Sequence, residues 1–132
     1  MVKVLDTKLK DAKIVETDVF GDHRGFFTET YTKNKFEDAG INIEFTQDNQ
    51  SLSSEPGVLR GLHFQKAPYA QTKLLRAITG VIYDVIVDIR KGSPTYKQWQ
   101  GFINCSISCT MIYNIWMIFC KILLNCFFVS YI

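Results

Sequence analysis

Between Ala12 and Ile103 the chain keeps switching between short β-favouring runs and clusters of turn-forming residues, and that rhythm excludes most architectures at once. Strands favour β-branched and aromatic side chains on a period of two, and tight turns need Gly, Pro, Asn or Asp. Ala12–Phe20 ends at Gly21-Asp22-His23-Arg24-Gly25 and Phe26–Tyr31 follows, so a first hairpin is expected over Ile14–Tyr31. Ile41–Gln47 alternates again, whereas Asp48–Gly57 is polar and reads as a loop. Val58–Gln65, Thr72–Thr79 and Val81–Ile89 are expected strands, the last (VIYDVIVDI) being the strongest β segment. Tyr96–Ile103 is expected as a last short strand. The single helix expected is Thr32–Ala39, closed by Gly40. A chain of 132 residues is one domain in size, and many short strands with one short helix predict an all-β sandwich or barrel.

The composition divides the chain in two. Of 28 charged residues, 27 precede Ile103, as do all eight glycines and all three prolines. From Asn104 to Ile132 the one charge is Lys121, 21 of 29 residues are apolar, and all four cysteines (Cys105, Cys109, Cys120, Cys126) fall there. Residues 1–103 and 104–132 are therefore expected to be different objects. The net charge of +2, with lysines scattered among acids, excludes a basic nucleic-acid-binding surface. Charges at Lys3, Asp6, Lys8, Lys10 and Asp11 interrupt any signal-peptide core. The cysteine-free body suits a cytoplasmic protein.

Several polar residues occupy positions that a plain β-barrel does not need. Arg60 and His63 interrupt the apolar run GVLRGLHFQ, Lys73 opens QTKLLRAITG, and Arg24 and Glu29 flank the second strand of the expected hairpin. Gln47, Asp48 and Asn49 end another run. Arginine suits bidentate phosphate recognition, histidine can take a proton from carbon beside a carbonyl, and lysine can stabilise the enolate oxygen that results. The set describes proton abstraction on a phosphorylated keto-sugar. Each residue also has a plainer reading, as a hydrogen-bonded structural His, a solvated strand-edge Lys or surface arginines in weak ion pairs. Parity sets a further condition. Arg60 and His63 lie three residues apart, so a regular strand would point them to opposite faces unless a bulge near Gly61 resets the alternation.

The strings FGDHRGFFTETY, FTQDNQS, GVLRGLHFQ, QTKLLRAITG and YDVIVDIRKGSPTY, with a following Trp, resemble the dTDP-4-dehydrorhamnose 3,5-epimerase family in order and spacing over residues 4–102. The resemblance implies a cupin-type jelly roll (a double-stranded β-helix) working as a homodimer. The implied substrate is dTDP-4-dehydro-6-deoxy-D-glucose, inverted at C3 and C5 to dTDP-4-dehydro-L-rhamnose. His63 falls on the family's general base and Lys73 on the residue holding the enolate. Arg24, Glu29, Gln47, Asn49 and Arg60 fall on substrate-binding positions. Asp84 ranks behind these as a partner for Lys73 or His63. No cofactor or metal is implied: no G-x-G-x-x-G occurs, and His23 and His63 are the only histidines.

After Trp99-Gln100-Gly101-Phe102 the resemblance stops. The family's second histidine, its proton-donating tyrosine and the carboxylate orienting its base have no recognisable counterparts. Tyr113 and Tyr131 stand in unmatched context, and the tail has no Asp or Glu. A reading-frame shift near residue 103 would yield the tail's composition and is the expected origin, with a designed or spliced core segment as a further alternative. The rival is a membrane anchor over Met111–Ile132, opposed by Lys121 near its centre. On this reading the jelly roll is incomplete at its carboxy end, leaving strand faces and edges uncovered. The alternative functions are a non-catalytic nucleotide-sugar-binding module and a membrane-tethered cupin fragment.

Overall fold

In the computed structural model, residues 1–105, 110–115 and 118–131 are described. The elements are β1 (Val2–Asp6), β2 (Lys13–Thr17), β3 (Val19–Asp22), β4 (Gly25–Thr28), α1 (Lys33–Asp38), β5 (Asp48–Leu52), β6 (Val58–His63), β7 (Thr72–Val87), β8 (Trp99–Cys105), β9 (Thr110–Ile115) and β10 (Ile118–Tyr131). Eight strands form one sheet in the order β1-β2-β9-β7-β10-β5, with β6 also on β10 and β8 also on β7. All the main-sheet pairings are antiparallel. The all-β expectation holds.

The expected first hairpin divides at Asp18. Its backbone N–H donates to the Met1 carbonyl at 3.3 Å, while its own carbonyl accepts from Thr28 Oγ1 at 2.8 Å. The strand changes partners there: β2 joins β1 in the main sheet, and β3 pairs only with β4 in a separate two-stranded ribbon. Ile41–Gln47 forms no strand although it alternates. Its apolar positions serve packing, since Ile41, Ile43 and Phe45 join the cluster of Val15, Phe36 and Leu74 under α1. The segment expected to be a loop contains β5, whose polar residues hide a strand paired with β10.

β7 does the most to shape the molecule. It merges two expected strands into one run of 16 residues, and that run cannot be straight. Leu75 and Ile82 share one buried cluster with Ala77 and Val58, whereas seven residues of extended strand would separate them by about 23 Å. The corner falls at Gly80, whose φ of 74° favours glycine. Beside it the β7–β10 register slips twice, between Leu124 and Phe127 and between Phe127 and Phe128.

The expectation of unpaired strand edges is overturned where β9 and β10 pair, whereas Tyr83 and Ile103 remain exposed on the outer face of β7 and β8. β10 pairs along both arms of β7 and carries β5 and β6 on its other side, and β9 lies between β2 and β7. Ladder hydrogen bonds are made by the backbone, so a tail rich in Ile and Phe can complete them without the family's side chains. The proposed anchor segment contains strands, and among the described residues no helix is long and apolar enough to cross a membrane.

The turn after β7 is held by charge. Arg90 donates to Asp88 Oδ1 and Oδ2 at 3.0 and 2.8 Å, to Asp11 Oδ2 at 2.8 Å and to the Lys10 carbonyl at 2.7 Å. Ser93 and Thr95 hydroxyls donate to Asp88 at 2.6 and 2.7 Å. Burial pushes the Asp88 carboxyl up, but these donors together outweigh it and hold the group well below the usual carboxylate range.

Candidate active site

The β6–β10 ladder settles the parity question raised by Arg60 and His63. Arg60 pairs with Lys121 and His63 with Phe119, and the register shifts between Phe119 and Cys120. Three residues on β6 thus span two on β10, with Leu62 the extra one, a β-bulge. Gly61, at φ 118°, supplies the backbone conformation beside it. Direct partners in an antiparallel ladder share a face, so Arg60 and His63 emerge on the same side of the sheet.

The same cross-strand alignment continues onto β7. Lys121 pairs with Asp84, Phe119 with Ile86 and Leu123 with Ile82, and Leu123 also pairs with Val58. Val58, Arg60 and His63 therefore share a face with Ile82, Asp84 and Ile86. That face is the interior, because Val58 packs on Leu75, Ala77 and Ile82. Lys73, two residues before Leu75, belongs to it as well. Asn49 enters from β5, aligned through Ser130 with Leu75. Gln47 Nε2 donates to Asn49 Oδ1 at 2.8 Å.

Lys73 is half-buried, and desolvation lowers the pKa of its amine, opposed by the negative charge of Asp84. A straight β7 would hold these residues about 36 Å apart. Their mutual influence is a direct consequence of the Gly80 corner. Asp84 is fully buried. The sequence signal for it is its parity with Ile82 and Ile86, a carboxylate on the inward side of an otherwise apolar strand. Arg60 is exposed and donates from Nη2 to Ser53 Oγ at 3.3 Å, and Ser53 is itself buried. His63 is exposed, at the open end of the interior face. His63, Lys73, the buried carboxylate of Asp84 and Arg60 thus share one face of the sheet.

Arg24 and Glu29 are not part of that grouping. Arg24 Nε donates to Asp22 Oδ2 at 3.0 Å in the turn between β3 and β4, and Glu29 is ion-paired with Lys35. A pocket of about 310 Å³ beside Arg24 is lined by Phe20, Asp22, Gly25, Phe26 and Phe27, all from the ribbon. Among the described residues neither side chain makes a polar contact with Arg60, His63 or Lys73. The physical reason is the break at Asp18, which separates the ribbon from the main sheet. The side chains from residue 106 onward, those of Tyr113 and Tyr131 included, lie outside the described ones. Among the described residues no group of three or more His, Cys, Asp or Glu is arranged to hold a metal ion.

The family model for dTDP-4-dehydrorhamnose 3,5-epimerase matches residues 6–113, ten residues past the compositional break. A relative of that name from Shigella flexneri is 52% identical over 106 residues, which cover 80% of this chain and 58% of the relative. The chain thus spans just over half the length of the curated relatives it matches. Among solved structures, dTDP-4-dehydrorhamnose 3,5-epimerase from Bacillus anthracis with TDP and PPi bound superposes with a TM-score of 0.93 at 46% identity, over 99% of this chain and 76% of that one. dTDP-6-deoxy-D-glucose-3,5-epimerase from Legionella pneumophila, in complex with dTDP-4-keto-L-rhamnose, gives 0.91 at 36% identity, over 99% and 71%. The fold is the cupin-type jelly roll of these epimerases.

Proposed function

The chain belongs to the dTDP-4-dehydrorhamnose 3,5-epimerase family, and we propose that its interior face binds a dTDP-linked 4-keto-6-deoxy sugar and removes protons from the carbons flanking the ketone. His63 is the base, Lys73 stabilises the enolate oxygen, and Arg60, Gln47 and Asn49 hold the nucleotide sugar. Arg24 and Glu29, on the separate ribbon, contribute to binding only through a second copy of the chain or a movement of the ribbon. A homodimer accommodates the first of these. The cysteine-free body agrees with a cytoplasmic setting.

The single observation that carries this reading is the bulge at Leu62, which turns His63 to the face occupied by Lys73 and Asp84. In a regular, unbulged strand of the same sequence His63 would face away from its oxyanion partner. Protons next to a ketone are already acidic, so positioned base and cation are the protein's contribution to this half of the reaction.

Inversion also requires a proton delivered to the opposite side of the sugar. The tail from Asn104 contains no Asp or Glu, and its tyrosines lack the family's context. We therefore expect this chain to exchange substrate hydrogens and to complete epimerisation at no more than a trace rate. Loss of an orienting carboxylate alone can cost about 10⁴-fold. The segment 104–132 is read as a departure from the family produced by a frame shift, and translating the coding DNA downstream of codon 103 in the other frames tests that origin.

The enzymatic test supplies dTDP-4-dehydro-6-deoxy-D-glucose in deuterated water, with and without the downstream reductase. Deuterium uptake by the sugar, lost in His63→Ala, with little dTDP-L-rhamnose formed, is the expected result. Uptake undiminished in His63→Ala would assign the base elsewhere. Binding without any uptake would favour the non-catalytic module, and turnover within about tenfold of an intact relative would show that the tail supplies an acid.

A further inference from the structure

Asn104 occupies a position where an apolar residue would be the default. It lies on the interior side of β8, opposite Ile82 in the β7–β8 ladder, and is fully buried. Burying a carboxamide is unfavourable unless its polar atoms find partners. Here they find them across the barrel: Oδ1 accepts from the Ala77 backbone N–H at 3.4 Å, and Nδ2 donates to the Leu75 carbonyl at 3.1 Å. Ile82 stands on the second arm of β7, and Leu75 and Ala77 stand on the first. Paired with the second arm through its ladder and bonded to the first arm through its side chain, Asn104 therefore joins the two arms beside the Gly80 corner.

The groups that depend on that corner are Lys73 on the first arm, two residues from Leu75, and Asp84 on the second, two residues from Ile82. Opening or closing the arms changes their separation and the access of water to the amine. The other described charged or titratable side chains on this face are Arg60 and His63 of β6. Neither the β7–β10 pairing nor the small cluster of Leu75, Ala77 and Ile82 supplies a comparable directional link. The ladder slips twice beside the corner, and apolar packing tolerates sliding.

We propose that Asn104 is a positioning residue whose carboxamide clasps the two arms of β7 and sets the placement of Lys73 against Asp84. Its importance for catalysis rests on the reading of Lys73 as the enolate's partner, but the clasp can be measured without substrate. The 132-residue chain and its Asn104→Leu and Asn104→Gln variants are pulse-labelled with trace acetic anhydride across a pH series. Labelling of Lys73 is quantified by peptide mass spectrometry and normalised to a free-amine standard, with far-UV circular dichroism and urea unfolding as checks on folding.

Asn104→Leu keeps the volume and removes both hydrogen bonds. Water then reaches the amine, the desolvation that holds its midpoint down is relieved, and the Lys73 labelling midpoint should rise by about one pH unit, a roughly tenfold change in neutral amine below the midpoint. Asn104→Gln keeps the carboxamide one methylene further out and should recover part of that shift. A merely structural role would lower the unfolding midpoint without moving Lys73 in the folded protein. An unchanged Lys73 midpoint in folded Asn104→Leu overturns the proposal, as does failure of both variants to fold, which would make Asn104 a residue of stability alone. Absence of deuterium exchange by the parent chain would undo the proposed reaction and leave this result standing.

Discussion

Replacing Arg90 with Met should destabilise the fold by about 3–4 kcal/mol at pH 7, and the loss should shrink in acid. The Asp88 carboxylate is fully buried and the Arg90 side chain is 19% exposed, so solvent screens the pair little. The substitution removes the 3.0 and 2.8 Å bonds to Asp88, the 2.8 Å bond to Asp11 and the 2.7 Å bond to the Lys10 carbonyl. Removing one partner of a buried pair costs about 3–5 kcal/mol, because the other charge stays behind. Ser93 and Thr95 still donate to Asp88 at 2.6 and 2.7 Å, which keeps the estimate at the lower end. For a domain of this size the thermal midpoint should fall by about 10 °C or more.

The pH dependence follows from the direction of the Asp88 shift. Its folded-state pKa is depressed, so the stability it confers is present above the unfolded carboxyl value of about 3.9 and is lost as pH falls through that value toward the folded one. Without Arg90, burial raises the folded value, and acid then neutralises a charge that the variant holds at a cost. Urea unfolding of both proteins between pH 7 and pH 3 should show their stabilities converging. Adding Asp88→Asn to Arg90→Met should restore part of the loss at pH 7. A gap that stays constant over this range would mean that the effect is packing, and a gap below about 1 kcal/mol at pH 7 would refute the clamp.

Two further outcomes test the site and its frame. Deleting Leu62 removes the extra residue of the bulge and leaves Arg60 and the histidine two apart, so residues 58–61 keep their ladder and strict alternation holds the histidine opposite Phe119, on the Lys73 face. The chain should fold and keep deuterium exchange into the sugar well above the level of His63→Ala, and loss of exchange in the folded variant would defeat the parity argument. A Cβ at Gly101 would lie 2.2 Å from Tyr83 Oη, and Tyr83 is 38% exposed and can swing outward. Gly101→Ala should therefore cost about 1–2 kcal/mol in urea unfolding, with a change in Tyr83 solvent exposure, and a neutral result would show that the ring is not confined there.

Much of the candidate site is legible in the sequence, because its chemistry is local. Arg60, His63 and Lys73 stand out as polar interruptions of apolar runs, and the motifs around them are dense. What is not legible there depends on distant partners. β5 reads as a loop because its inward residues Asn49 and Ser51 are polar, and strand formation there depends on β10, more than 60 residues away in the chain. Ile41–Gln47 errs the other way: its alternation serves the Phe36 cluster and no ladder. The interior role of Asp84 is visible only as a parity coincidence with Ile82 and Ile86. Asn104 falls on the far side of the compositional break, where nothing local marks it as a contact of Leu75 and Ala77.

By itself the sequence determined the β character of the chain, the candidate acid–base groups and the family, since propensity, turn chemistry and motif spacing are properties of neighbouring residues. Tertiary structure decided which of those groups meet. The bulge at Leu62 and the corner at Gly80 bring His63, Lys73 and Asp84 to one face, while the change of partner at Asp18 keeps Arg24 and Glu29 away from it. The physical reason is that side-chain direction in a sheet is set by register, and register is a relation between strands that no single stretch of chain contains.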